Sequence, residues 1–290
     1  MWISDKWKDF EVIDTGSGEK LERWGDILLA RPDPQVIWEG RFRPDLWEKA
    51  DARYHRSNEG GGGWKYKNKL PASWTVCYGN LKFGIKPMGF KHTGLFPEQA
   101  TNWDYVAEKI KKSGRKDIKV LNLFAYTGGA TVAAAAAGAE EVVHVDSSKG
   151  MVTWAKENAE LSGLGDKYIR FIVDDVLKFV AREKRRGRKY DIIIMDPPSY
   201  GRGPGGELWK LEDCVDSLIS LAASLLTDKP LFFLVNSYTA GLSPSSMGYM
   251  LDYELTRKYG GKVVSDEIGL SVTSTGGVLP CGGAARWSAE

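Results

Sequence analysis

Apolar residues in the second half of the chain form five short runs, separated by longer segments with helical spacing. The runs are brief and mostly apolar, which is typical of parallel strands buried on both faces; they are Ile118–Phe124, Glu141–Val145, Ile169–Val173, Tyr190–Met195 and Leu231–Val235. The segments between them predict crossover helices at Ala130–Ala137, Gly150–Ser162, Val176–Glu183 and Leu211–Leu226. This alternation predicts a parallel sheet with helices on both faces.

The pattern continues towards the C-terminus. A helical stretch near Ser246–Tyr259 precedes two further candidate strands, Lys262–Leu270 and Gly277–Cys281. We therefore predict an α/β domain over residues 106–290, with a seven-stranded and mostly parallel sheet.

Residues 1–105 follow another pattern, with many tryptophans and glycines and only short apolar runs, such as Trp74–Tyr78 and Leu81–Ile85. The glycine string Gly60–Gly63 predicts an exposed loop. A small β-rich region is the expected result. Its tryptophans could stack on nucleobases, but filling a small core is the more usual role of this side chain, and we expect that role here.

Composition limits the classes of protein that remain. The chain has 290 residues, of which 42% are hydrophobic and 27% charged. No run of about 18 apolar residues predicts a membrane span, and the N-terminal MWISDKWKDF has neither a signal-peptide core nor a lipidation motif. We expect a cytoplasmic protein with no membrane partner.

Cysteine and histidine are too few and too scattered for a covalent or metal framework. Cys77, Cys214 and Cys281 are odd in number and far apart, which disfavours disulfides. The three histidines also lack the spacing of metal ligands. We predict no metal site.

Charge is nearly balanced over the whole chain, with a net charge of +2 and a pI near 8.2. Basic residues nevertheless cluster in the run Lys184–Lys189. This run could be a solvated loop or a patch that contacts phosphates, and the sequence leaves both interpretations open.

Residues directly after the strands carry the candidate chemistry, because ligands of open parallel sheets bind beyond the carboxyl ends of the strands. The first strand ends in the segment Phe124–Gly129, whose paired glycines permit a tight turn close to a ligand. The three-glycine spacing of dinucleotide-binding proteins is absent, which disfavours NAD or FAD.

Aspartates follow the next two strands. Asp146 lies about 20 residues beyond the glycine turn, the separation at which an acidic residue reaches ribose hydroxyls. Asp174 and Asp175 follow the third strand, where a carboxylate could bind an adenine amino group. Each of these could instead cap the following helix. Their occurrence at successive strand ends favours an adenosine site.

The fourth strand ends in Asp196-Pro197-Pro198-Ser199-Tyr200. Two prolines fix an extended backbone whose carbonyls no helix can use, so they could face a substrate. An aspartate beside a stacking aromatic residue suits a planar nitrogenous target.

Together, LNLFAYTGGATVAAA, VVHVDSS, the segment around Asp175 and DPPSY resemble the class I S-adenosylmethionine-dependent methyltransferases, whose fold is Rossmann-like. More narrowly, they are similar to the bacterial ribosomal RNA large-subunit methyltransferases that modify cytosine C5 or guanine N7. The resemblance includes Lys91–Gln99, which is similar to the segment over the cofactor in that family.

The resemblance implies a role for each motif. Tyr126, Thr127 and Gly128 would hold the methionine part of S-adenosylmethionine, Asp146 the ribose and Asp175 the adenine. The target base would meet Asp196, Pro197, Pro198 and Tyr200, which we predict as the catalytic set. The expected cofactor-binding residues are Phe96, Gln99, Phe124, Ala125, Tyr126, Thr127, Gly128, Gly129, Asp146, Ser147, Asp174, Asp175 and Asp196.

Two positions depart from the family pattern. Members that methylate cytosine C5 carry a cysteine after the fifth strand, where this chain reads Val235-Asn236-Ser237-Tyr238, so a covalent thiol route is disfavoured. Ser199 separates the prolines from Tyr200, whereas amino-group methyltransferases have the aromatic residue directly after the prolines. Direct in-line transfer remains, for which alignment and exclusion of water suffice.

The predicted function is methyl transfer to a nucleobase of RNA, with ribosomal RNA as the expected partner. Two alternatives stay open: a methyltransferase of proteins or small molecules, and a non-catalytic module that binds adenosine or RNA. The segment Gly201–Trp209 is expected to close over the substrate, with Arg202 near a phosphate and Trp209 packing the segment down.

Overall fold

The computed structural model describes residues 1–57, 61–202 and 208–289. These residues form two compact units. The large unit contains Met1, Asn102–Ile268 and Gly282–Glu290, and the small unit contains Trp2–Thr101 and Gly269–Cys281. The predicted domain boundary between residues 105 and 106 stays a prediction.

Most of the small unit is β-structure. Its elements are β1 (Trp2–Ser4), β2 (Phe10–Gly16), β3 (Glu19–Trp24), β4 (Ile27–Pro32), α1 (Pro44–Trp47), β5 (Ala52–Arg56), β6 (Gly62–Tyr66), β7 (Trp74–Tyr78), β8 (Leu81–Ile85) and a 3₁₀ turn at Pro97–Gln99. Strands β2 to β6 form a five-stranded sheet in chain order, and β7 and β8 form a hairpin. The predicted β-rich character is confirmed, including both predicted strands.

The predicted glycine loop is wrong in part. Gly62 and Gly63 begin β6, and Gly63 pairs with His55 of β5. Gly62 has φ +150°, and a Cβ there would lie 2.1 Å from the carbonyl oxygen of His55. Residues 58–60, which include Gly60, lie outside the described residues. Close backbone approach in a strand pair, rather than a loop, therefore explains Gly62.

Tryptophans fill the core of the small unit at two positions. Trp24 is fully buried and Trp47 is 4% exposed, as expected of core residues. Trp38 is 40% exposed, so the prediction of core filling holds for Trp24 and Trp47 but not for every tryptophan of this region.

The elements from residue 100 onward carry the sheet of the large unit. They are α2 (Ala100–Ser113), β9 (Lys119–Leu123), α3 (Gly129–Ala136), β10 (Glu141–Asp146), α4 (Lys149–Leu161), β11 (Ile169–Val173), α5 (Val176–Arg185), β12 (Ile192–Met195), β13 (Tyr200–Arg202), β14 (Leu208–Lys210), α6 (Leu211–Ala223), β15 (Phe232–Ser237), α7 (Pro244–Leu251), a π-helical turn (Asp252–Thr256), α8 (Arg257–Tyr259), β16 (Lys262–Ser271) and β17 (Val278–Ser288). The five predicted parallel strands and their crossover helices are confirmed. The sequence did not predict α2, and the strand that it predicted at Gly277–Cys281 covers only the first part of β17.

Seven strands of the large sheet follow the order β16-β17-β15-β12-β9-β10-β11. Strands β15, β12, β9, β10 and β11 are parallel, and β17 is antiparallel to β15. Since β10 and β12 flank β9 on opposite sides, the chain reverses direction across the sheet at β9. A crevice for a ligand is expected beyond the carboxyl end of such a strand.

Candidate active site

Backbone hydrogen bonds hold the carboxyl ends of the four predicted strands against one another. The amide of Ala125 donates to the carbonyl of Val145 at 3.0 Å, and that of Asp174 donates to the carbonyl of Asp146 at 3.0 Å. The amide of Asp196 lies 3.4 Å from the carbonyl oxygen of Leu123. Motif residues as far apart in sequence as Ala125 and Asp196, which are 71 positions apart, therefore meet at one edge of the sheet.

The turn after β9 has an unusual backbone. Phe124 and Tyr126 have φ of 55° and 51°, a left-handed conformation that side chains other than glycine rarely adopt. Gly128, with φ 85°, caps α3. A Cβ on Gly128 would lie 2.9 Å from the Cβ of Ala155 in α4. Backbone strain of this kind persists where the surroundings fix it and is common at ligand sites.

Asp146 at the end of β10 is tied to this turn. Its Oδ2 accepts a hydrogen bond from the amide of Tyr126 at 2.9 Å, and its Oδ1 accepts one from the amide of Ser148 at 2.8 Å. The carboxylate is half-buried, and Ser147 beside it is exposed. Each carboxylate oxygen has a second lone pair that could accept a ribose hydroxyl.

A buried polar network lies behind the turn. Asn122 Nδ2 donates to Thr131 Oγ1 at 2.9 Å, and Thr131 Oγ1 lies 2.9 Å from His144 Nδ1. Burial lowers the pKa of His144 to about 3, while a backbone interaction with Tyr126 acts in the opposite direction. His144 is therefore neutral at physiological pH. Sequence reasoning missed this network, although polar residues inside otherwise apolar strands were a visible signal.

Asp174 and Asp175 have local partners. Asp175 Oδ1 accepts a hydrogen bond from the amide of Lys178 at 2.9 Å and so caps α5. Asp174 accepts one from the amide of Asp175 at 2.9 Å and forms an ion pair with Arg182. The helix-cap interpretation is thus confirmed for Asp175, and its contact with adenine stays a prediction.

Asp196 follows β12 and is positioned from the neighbouring strand. Its Oδ1 accepts a hydrogen bond at 3.0 Å from the side-chain Nδ2 of Asn236, which is fully buried at the end of β15. Within the described part of the chain, Asn236 Oδ1 has no hydrogen-bond partner. The sequence interpretation did not assign a role to Asn236, although a polar residue directly after a buried strand was the available signal.

The segment after the prolines folds back as a hairpin of β13 and β14. Trp209 Nε1 donates to the carbonyl of Pro198 at 2.6 Å, and its ring lies 5.9 Å from that of Phe124. Trp209 therefore packs the segment down, as expected. Trp209 donates to the carbonyl oxygen of Pro198, which has a second lone pair, so the suggestion that the proline carbonyls face a substrate stays a prediction.

The remaining predicted residues have varied environments. Pro197 is buried, whereas Tyr200 is 59% exposed on the hairpin. Residues 203–207 lie outside the described residues, so closure over a substrate and the contact of Arg202 with a phosphate stay predictions. Phe96 and Gln99 belong to the small unit, where Phe96 precedes the 3₁₀ turn and its ring contacts His92; their role at the cofactor also stays a prediction.

No cysteine is set up as a nucleophile in the described part of the chain. Burial raises the pKa of the Cys214 thiol, and it raises that of Cys281 well above its ordinary value. Burial likewise raises the pKa of Cys77. The described residues contain no group of three or more potential metal ligands, and none of their helices has the length and hydropathy of a membrane span.

The site has the groups that a nucleoside with an amino-acid tail requires. A left-handed turn presents backbone next to α3, Asp146 offers carboxylate oxygens beside it, and Asp196 follows the neighbouring strand β12 with Asn236 as its partner. The fold and this arrangement are typical of doubly wound α/β proteins that bind a nucleoside beyond the carboxyl ends of their strands. The chain belongs to the S-adenosylmethionine-dependent methyltransferases, a family that matches residues 51–226. S-adenosylmethionine is therefore its cofactor.

Individual relatives agree with this assignment. A crystal structure of a SAM-dependent methyltransferase from Agrobacterium tumefaciens is 38% identical, covers 100% of this chain and 93% of its own, and has a TM-score of 0.92. The ribosomal RNA large subunit methyltransferase K/L of Shewanella baltica is 33% identical over 77% of this chain. The protein of that name from Shewanella frigidimarina is 39% identical over 68%. The chain spans only 30% and 26% of the length of these two relatives.

Proposed function

We propose that this protein transfers a methyl group from S-adenosylmethionine to a nucleobase of RNA, with ribosomal RNA in the cytoplasm as the favoured substrate. The observation that carries the proposal is Asp196, placed by Asn236 at the same sheet edge as Asp146 and followed by a hairpin anchored by Trp209. The names of the Shewanella relatives support RNA as the substrate class.

The residues around the glycine turn would hold the cofactor. The backbone of Tyr126, Thr127 and Gly128 would contact the methionine part, and Asp146 would accept hydrogen bonds from the ribose. Asn158 supports this arrangement, because its Nδ2 donates to the carbonyl of Thr127 at 2.9 Å from within α4. Asp175 would reach the adenine with the oxygen that does not cap α5.

The bound cofactor supplies a methyl group that is already activated for transfer. The protein then has to hold the target base in line, exclude water and accept a proton where the product carries one. Asp196 would accept a hydrogen bond from the base, and Tyr200 would stack on it. A covalent thiol route is not supported, since Asn236 and Ser237 end β15 and burial raises the pKa values of Cys214 and Cys281.

Methylation of RNA tests the proposal directly. We expect nucleosides from the ribosomal RNA of cells lacking the protein to lose one methylated species by mass spectrometry. The purified chain should restore that species with labelled S-adenosylmethionine. Replacing Asp196 (Asp196→Ala) should reduce transfer by about 10²- to 10⁴-fold, the range for loss of a group acting in proton transfer. Asp228→Ala, which removes an exposed carboxylate of the large unit, is the matched control.

Three other results would redirect the proposal. Cofactor binding with unchanged RNA would indicate a protein or small-molecule substrate. RNA or cofactor binding with no transfer to any acceptor would indicate a non-catalytic module. Full activity of the Asp196→Ala variant would refute the assignment of the catalytic residue.

A further inference from the structure

A large basic groove lies at the edge of the sheet opposite the candidate active site. It has a volume of about 1050 Å³ and is lined by residues at the amino ends of three parallel strands: Lys119 begins β9, Asp191 precedes β12 and Leu231 precedes β15. The C-terminal end of α2 and the connection between α5 and β12 form its other walls. All of these residues belong to the large unit.

The groove has a much larger excess of basic over acidic residues than the chain as a whole. The chain has 40 basic and 38 acidic residues, whereas the described residues that line the groove include seven basic and only two acidic ones. A concave surface with such an excess of basic side chains attracts anions and raises their local concentration.

Two arginines of the groove are fixed by carboxylates and form its frame. Arg115 donates to Asp191 at 2.7 Å and to Asp117 at 3.1 Å, and its hydrogen bonds to Asp117 raise its pKa. Arg188 contacts both oxygens of Glu141 at 2.6 and 2.8 Å. These pairs hold the walls in place and leave the lysines as the source of excess charge.

Three lysines at the rim are exposed and can reach a ligand. Lys189 Nζ donates at 2.8 Å to the carbonyl of Ser224, which is neutral and leaves the positive charge in place. Lys112 pairs with Glu108, but its side chain is 73% exposed, so water weakens that interaction. Lys229 is exposed at the turn before β15.

We propose that this basic groove binds backbone phosphates of the RNA substrate, as a second contact away from the site of methyl transfer; the proposal rests on the proposed function. The length of β9 separates the two sheet edges by about 13 Å. Double-stranded-RNA-binding domains contact about 16 base pairs of a duplex, which shows that one structured RNA is long enough to reach both edges. Phosphate contacts would fix the register of the RNA, and the catalytic edge would select the base.

The test compares two triple variants of the full chain with the same change in charge. Lys112→Gln, Lys189→Gln and Lys229→Gln together remove the rim of the groove. Lys156→Gln, Lys167→Gln and Lys262→Gln together remove three exposed lysines of the same unit that do not line it. Binding of a labelled stem-loop from large-subunit ribosomal RNA is measured by fluorescence anisotropy between about 50 and 200 mM salt.

We expect the groove variant to bind RNA about tenfold more weakly or worse, with a salt-dependence slope reduced by about two to three, since each lost phosphate contact reduces the slope by about one. Its KM for RNA should rise while kcat and the affinity for S-adenosylmethionine stay unchanged. The control variant should behave like the wild type.

The outcomes separate this proposal from the proposed function. If the wild type binds and methylates RNA but the groove variant keeps its affinity and slope, the groove proposal alone is refuted. If inorganic pyrophosphate binds the wild type but not the groove variant, and RNA binding is equal in both, the groove is a site for small anions and the proposal is also refuted. If the wild type neither binds nor methylates RNA, both proposals fail.

Discussion

At the scale of single residues, the proposed function depends on carboxylates that are held by hydrogen bonds from backbone amides or, for Asp196, from the side chain of Asn236. Asp146 receives hydrogen bonds from the amides of Tyr126 and Ser148, so its side chain is held before any ligand arrives. A pre-positioned acceptor avoids the entropy of ordering on binding. The sequence identified this aspartate from its spacing, but its second role, in holding the turn at Tyr126, became visible only in the structure.

Replacing Asp146 with asparagine should weaken cofactor binding. The Asp146→Asn variant keeps the size of the side chain but loses the charge and one of two acceptor oxygens. We expect the dissociation constant for S-adenosylmethionine to rise about 10- to 100-fold in calorimetric titration, because hydrogen bonds to a charged group contribute about 1.5–3 kcal/mol. Asp166→Asn, at an exposed site before β11, should bind as the wild type does. Equal affinities of the two variants would contradict the role of Asp146.

At the scale of elements, the turn between β9 and α3 is fixed by the helix beside it. Gly128 adopts a left-handed conformation and also packs against Ala155 of α4. Gly138, after α3, is left-handed too, with φ +102°, but it has open space where a Cβ would be. A substitution at Gly138 therefore measures the cost of backbone strain alone, whereas one at Gly128 adds the cost of crowding against Ala155.

Gly128→Ala should damage both stability and cofactor binding. We expect it to lower the free energy of unfolding by about 2–4 kcal/mol, since the strain of a left-handed alanine adds to the displacement of Ala155. Gly138→Ala should cost only about 1 kcal/mol and leave cofactor binding intact. Urea unfolding gives the first quantity and calorimetry the second. Similar losses in both variants would show that the packing against α4 contributes little.

At the scale of the whole molecule, each unit holds a histidine in its neutral form: His144 is fully buried and His92 is partly buried. Burial is the main cause that lowers the pKa of His144 in the large unit to about 3, and burial together with Arg31 and Lys91 lowers that of His92 in the small unit to about 3. An unfolded chain would bind protons on both residues near their ordinary pKa of 6.5. The contribution of these two histidines to stability is therefore fully present above about pH 6.5 and is lost as the pH falls towards 3.

Unfolding measurements at several pH values test this dependence. Between about pH 6 and pH 5, each such histidine should reduce the free energy of unfolding by about 1.4 kcal/mol per pH unit. His144→Gln should lower the stability at neutral pH but make its pH dependence shallower by about that amount. His55→Gln, which changes an exposed histidine, should keep the slope of the wild type. An unchanged slope in His144→Gln would refute the buried neutral state.

The sequence by itself determined the five parallel strands, their crossover helices and the positions of the motif residues, but not α2 or the full length of β17. Short apolar runs predicted the five parallel strands, although β11 at the edge of the sheet is only partly buried. Residues after parallel strands must meet at one edge, so Asp146, Asp175 and Asp196 could be placed without coordinates. The family resemblance supplied the cofactor, which the match over residues 51–226 confirmed.

The tertiary structure alone decided which side chains touch. The bond from Asn236 to Asp196, the use of the Pro198 carbonyl by Trp209 and the network behind the glycine turn depend on the order and register of strands. The basic groove unites lysines 117 positions apart, from Lys112 to Lys229. Hydrophobic periodicity is a local property of the chain, whereas these contacts arise only when distant strands pair, and no local pattern encodes that pairing.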